Sequence, residues 1–209
     1  MEVCCGTYSY CAGSPGNLPV NHLAWDDALG CIAANGFAHV YVGRDSLGFT
    51  IGDPAVAAEE LAEARASAES MGLVLHATLM GASLETAGGG EADYRCILEH
   101  CSALGIRWVL DFGPPTPDSH GQYISMMQSV APYAATLGLG ISMKPHGMCL
   151  SNADLLDVAI EVGHPAFGIS LVSAQATPHR NLIDRDASVR WPHHASTTHH
   201  NSIYSQGCI

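Results

Sequence analysis

The sequence predicts an α/β fold of parallel strands and helices in alternation, and three observations predict it. Hydrophobic residues make up 47% of the 209 and charged ones 13%, the balance of a chain that buries a core. Alanine-rich amphipathic segments each end at a glycine, at Gly36, Gly72, Gly105, Gly138 and Gly163, and a short apolar run follows each at once. Glycine past a helix end supplies the left-handed cap that other residues resist. The intervals between these glycines are 36, 33, 33 and 25 residues, the size of βα units joined by right-handed crossovers. One domain is the expectation at this length.

In chain order, Val3–Tyr10 opens as a strand and Phe37–Val42 is the second. Asp53-Pro54 offers an N-cap followed by proline at a first helical position, ahead of the stripe Ala57, Leu61, Ala64, Ala68 and Met71. Leu73–Ala77 is the third strand. Tyr94, Ile97, Leu98, Cys101 and Leu104 line one helical face, and Ile106–Asp111 is the fourth strand. Pro132 should kink or divide the helix between Tyr123 and Leu137. Ile141–Lys144 forms the fifth strand. Ser151-x-x-Asp154 resembles a capping box before Leu155, Leu156, Val158, Ala159 and Val162, and Phe167–Val172 is the sixth strand. The runs are rich in Val, Ile and Leu without strict alternation, as in strands covered on both faces. Both a doubly wound sheet and a (β/α) barrel read this way. The loop Cys11–Gly16 lacks G-x-G-x-x-G, which counts against a dinucleotide fold. Residues 171–209 hold five of the twelve histidines and no capped helix, so they read as an irregular His-rich tail.

Twenty acidic residues against eight basic give a net charge of −12. That balance excludes a broad phosphate-binding face, hence nucleic acid or an anionic membrane as partner. Lys144 is the single lysine. Glu2 stands where a secretory signal needs basic residues. Eight cysteines without a Cys-x-x-Cys pair fit reduced thiols of a cytoplasmic chain better than a disulfide framework or a cysteine zinc site.

Chemistry in either architecture lies beyond the carboxyl ends of strands. That rule selects Arg44 and Asp45, His76, Asp111 and Lys144-Pro145-His146-Gly147. Lys144 and His146 are the catalytic candidates: a cation and an imidazole flank a proline that ends the strand, and a histidine there holds a metal or moves a proton. The plainer reading pairs Lys144 with a carboxylate and His146 with backbone. His76 and Asp111 are candidate substrate-binding residues, against a backbone-bonded rim histidine and a loop-capping aspartate. Gly88-Gly89-Gly90 is a flexible loop, since no Lys-Ser/Thr follows. Cys149 is a buried thiol near His146, and the tail pairs His193-His194 and His199-His200 lack a fold to orient them. No G-x-S-x-G precedes a helix.

Gly36–Gly43, Met143-Lys-Pro-His-Gly147 and His164-Pro-Ala-Phe-Gly-Ile169, in that order, resemble the sugar phosphate isomerase/epimerase family. The resemblance covers roughly residues 1–170. It implies the xylose isomerase-like TIM barrel, here as an incomplete (β/α)8 arrangement, with residues 1–170 as a partial barrel domain. It further implies a divalent ion (Mn, Mg, Co or Zn) held by two glutamates, an aspartate and a histidine from the last four strands, and proton transfer on a small sugar or polyol carbonyl compound. His146 is the metal candidate that its own place after the fifth strand offers. The departures are specific. Lys144 replaces the glutamate of the fifth strand, Val172 stands near the aspartate, and the Asp-x-Gly-Asn turn is absent, as though the family register were lost near residue 170. A chain of this kind is expected to be marginally stable and to form homo-oligomers through open strand edges. The alternative function is a non-catalytic barrel remnant or binding module. An endonuclease-like repair enzyme, of related fold, is opposed by the acidic surface.

Overall fold

The computed structural model describes residues 3–7, 10–11, 23–81, 90–114, 116–145 and 152–170. Six strands alternate with five helices among them: β1 (Cys4–Gly6), α1 (Trp25–Ala34), β2 (His39–Gly43), α2 (Ala58–Ser70), β3 (Val74–Gly81), α3 (Glu91–Ala103), β4 (Trp108–Asp111), α4 (His120–Thr136), β5 (Gly140–Met143), α5 (Asn152–Val162) and β6 (Phe167–Ile169). A single 3-10 turn, Pro117–Ser119, leads into α4. The tail, residues 171–209, and the Ser151 cap lie outside the described residues.

All neighbours in the sheet are parallel, and the strand order is β1-β2-β3-β4-β5-β6. This order decides between the two architectures. A doubly wound sheet reverses direction at a switch point, whereas here every crossover advances one strand the same way, as in a (β/α) barrel. Among the described residues β1 and β6 are the two edges of an open sheet.

The two faces of the sheet carry different cores. Val40, Val42, Leu75, Val109, Ile141 and Met143 point outward and join the main cluster with the helices. Tyr41, Ala77 and Leu110 form a smaller inner cluster, with Cys4, Leu79 and Trp108 against it. Gly140 belongs to the inner face, because a Cβ there would overlap the Trp108 ring. The five glycines that follow α1 to α5 all have φ between 65° and 80°, so the repeated helix–glycine–strand junction is a left-handed cap each time. Tyr94, Ile97, Leu98, Cys101 and Leu104 of the α3 stripe are all at most 1% exposed. Full burial of each aliphatic member contributes about 1.5–3 kcal/mol.

Three local expectations are corrected. The first strand stops at Gly6 because Thr7 turns the chain: its carbonyl accepts the Tyr10 and Cys11 N–H groups at 2.9 and 2.8 Å. Asp53 caps a turn rather than a helix. Its carboxylate accepts the Ala55 N–H at 2.9 Å, and α2 starts at Ala58, where Glu60 accepts the Ala57 N–H at 2.9 Å. Pro132 does not divide α4, which runs as one helix over 17 residues, so of the two expected outcomes division is the one overturned. Pro132 and Gln128, whose carbonyl proline leaves without a helical donor, are both exposed, so that carbonyl lies at the surface rather than in the core. Tyr123, Met127, Val130, Ala131 and Ala134 meanwhile keep the other face buried.

Candidate active site

The carboxyl ends of β4, β5 and β6 are laced together by backbone. The Lys144 N–H donates to the Asp111 carbonyl at 2.9 Å, and the Ser170 N–H to the Met143 carbonyl at 2.7 Å. Alternation along β4 and β5 then sorts the side chains. Trp108, Leu110 and Phe112 face inward, as do Gly140, Ser142 and Lys144, while Val109, Asp111, Ile141 and Met143 face the helices.

Lys144 is therefore at the mouth of the arc, on its inner side. It is 9% exposed, and its Nζ stands 4.9 Å from the centre of the Phe112 ring. Among the described residues no carboxylate pairs with it. Burial alone pushes its ammonium below the ordinary lysine range. Ser142 lies one inward position below Lys144, about 7 Å along the strand, and is 1% exposed.

Asp111 is on the other side of the sheet. It is fully buried, and its carboxylate accepts the hydroxyls of Tyr94 and Tyr123 at 3.1 and 3.2 Å and the Gly113 N–H at 2.7 Å. Burial, with the carboxylate beside it second, holds the Tyr94 phenol well above its usual range. Asp111 thus ties two helices to β4 from the helix side of the sheet, the side opposite Lys144. His76 is the third residue of the eight in β3, and its ring meets that of His39, the first residue of β2, edge-on at 5.6 Å. It sits toward the amino end of the sheet, apart from Lys144. His146 and Cys149 lie outside the described residues. Arg44 and Asp45 shape the loop after β2: Arg44 Nε donates to the Ile51 carbonyl at 3.1 Å, and Asp45 accepts the Thr50 hydroxyl at 2.7 Å.

Of the four candidates, then, only Lys144 is placed at the mouth among the described residues. The signal that finds its neighbours Phe112 and Ser142 is the two-residue alternation W-x-L-x-F and G-x-S-x-K. The same alternation would have turned Asp111 outward.

No family model and no curated protein sequence matches the chain. Solved structures do. D-psicose 3-epimerase, crystallised in the presence of D-fructose, matches with a TM-score of 0.65 at 17% identity, over 87% of this chain and 66% of that one. The apo form of 3-keto-D-glucoside 4-epimerase from E. coli matches with 0.61 at 14% identity, over 89% and 72%. A xylose isomerase-like TIM-barrel protein from Mycobacterium smegmatis, in complex with magnesium, matches with 0.59 at 16% identity, over 70% and 55%. The chain spans slightly under two thirds of the length of the psicose epimerase. Its fold is that of the xylose isomerase-like TIM barrels.

Proposed function

We propose that this chain acts on a small polyhydroxylated carbonyl compound in the manner of a sugar isomerase or epimerase, with Lys144 at the carbonyl. The observation that carries the reading is Lys144 itself: a cation turned into the barrel mouth, buried, and without a carboxylate partner among the described residues. Removing a proton from the carbon beside a carbonyl builds negative charge on the oxygen. A preorganised cation in a water-poor site stabilises that charge. The shared fold with proteins named as sugar epimerases supports the substrate class. His146, two residues further along the sequence, is the proposed proton carrier.

The divalent ion that the fold family implies does not fit the residues described. No group of three or more His, Cys, Asp or Glu side chains could hold an ion among them. Asp111 is the sole carboxylate in the six described strands, and it faces the helices. Where the resemblance implies a glutamate, Lys144 puts a positive charge, which repels a dication. We therefore derive no step through a metal. Any metal role for His146 is tested by titrating manganese into the chain and into His146→Ala; identical curves remove His146 from a metal site.

A second reading, a non-catalytic binding module, is favoured by the same replacement of an expected ligand by Lys144. The two are separated by incubating the chain with a panel of ketoses and aldoses in D2O, with and without manganese. Deuterium entering the carbon next to the carbonyl supports the enzyme. Binding without exchange supports the module.

No described helix is long and apolar enough to cross a membrane, and the described cysteines, Cys4, Cys5, Cys11, Cys31, Cys96 and Cys101, are in no disulfide. A cytoplasmic setting is the proposal these thiols support.

A further inference from the structure

We propose that Lys144 forms a covalent imine with its carbonyl substrate, so that the chain carries out its proton transfer without a metal. This deepens the reading above and rests on it. Three observations converge. Lys144 is the single lysine of 209 residues, so the chain does not spend lysine on its surface, where this residue type ordinarily resides. That one amine is 9% exposed and turned into the barrel mouth rather than toward water. Its environment is also that of a nucleophile rather than of an ion pair. Phe112 lies under the Nζ at 4.9 Å, and the inward positions below are Ser142 and Leu110. A lysine withdrawn from water against an aromatic ring, with no carboxylate paired to it among the described residues, is one of the standard arrangements that make an amine reactive toward carbonyls.

The chemistry balances without any further reagent. The Lys144 ammonium first gives a proton to solvent. The neutral Nζ then adds to the carbonyl carbon, forming a C–N bond while the C=O pair moves to oxygen, which takes up a proton in turn. Proton transfer and loss of water give the iminium ion. That cation then draws electrons from the neighbouring C–H bond, whose proton leaves to solvent as the enamine forms. Reprotonation on the other face, and return of the water, gives the epimer and frees the lysine. The positive charge that a metal would hold at the carbonyl oxygen is here carried by the iminium nitrogen.

The test uses the full chain with dihydroxyacetone and D-fructose as probes and sodium cyanoborohydride, whose hydride reduces an iminium to a stable secondary amine. Peptide mass spectrometry reads the position. The expected result is a reduced adduct on Lys144, accumulating at least about tenfold faster in the folded chain than in the same chain in urea. Lys144→Arg, which keeps the charge but cannot form the imine, should lose the adduct. Lys144→Met, with circular dichroism confirming the fold, should do the same. Adduct only at the terminal amine, or equal labelling in urea, overturns the proposal. If no adduct forms while either sugar still exchanges hydrogen with D2O, the imine is wrong and the isomerase reading survives. If neither sugar exchanges nor labels, both fail.

Discussion

Replacing Asp111 by alanine should cost stability. The carboxylate accepts the Tyr94 and Tyr123 hydroxyls at 3.1 and 3.2 Å and the Gly113 N–H at 2.7 Å, in a site with no solvent exposure. Alanine leaves three buried donors without that acceptor, and each such loss costs about 1–3 kcal/mol. Hydroxyls can rotate toward other acceptors, so the low end of the range applies, giving roughly 3 kcal/mol in all. That is a large share of the 5–15 kcal/mol that typically holds a domain together, in round figures. Urea unfolding followed by far-ultraviolet circular dichroism measures it, with Tyr94→Phe as a companion expected to lose only about 1 kcal/mol. An Asp111→Ala chain within roughly 1 kcal/mol of the parent would refute the reasoning.

Further outcomes follow from the same geometry. Gly140→Ala drives a methyl into the Trp108 ring and should destabilise by about 1–3 kcal/mol, with Trp108→Leu in the same chain recovering part of it. Pro132→Ala restores a donor for the Gln128 carbonyl in an unbroken helix and should stabilise by about 1–2 kcal/mol in thermal unfolding. His100 accepts the Gly52 N–H through Nδ1 at 3.1 Å, and burial lowers its pKa from the ordinary 6.5, against the opposing pull of Glu99 and Asp53. The unfolded chain therefore binds this proton more readily than the folded one. The contribution is complete above pH 6.5 and is lost as pH falls below it. Urea midpoints compared across that window should show a shallower pH dependence for His100→Asn, which keeps an acceptor for Gly52 but does not titrate.

The fold was legible where one local rule repeats. Each of Gly36, Gly72, Gly105, Gly138 and Gly163 closes a helix at positive φ, and these five caps position every strand after the first. Boundaries failed where a side chain competes with the backbone. Thr7 and Asp53 both end or delay an element through their own hydrogen bonds, and propensity carries no sign of such long-range partners as the Gly43 N–H. Strand order was not in the sequence, because helix spacing is the same for an arc and for a doubly wound sheet. At the site, being near the end of a strand proved insufficient. Asp111 and Lys144 both end strands, yet the pleat sends one to the helices and the other to the mouth. His76 lies close to the start of β3, which continues to Gly81, a length that the apolar run Leu73-Val-Leu does not announce.

A chain with a single lysine allows one spectrum to address the carbonyl reading directly. With lysine labelled at the ε-carbon by carbon-13, the folded protein should give one side-chain resonance, from Lys144. Adding dihydroxyacetone or D-fructose should move or split that resonance in a saturable way, while a polyol of similar size without a carbonyl leaves it in place. A resonance unmoved by either sugar would contradict the account, and so would one already at the position of a lysine in the urea-unfolded chain.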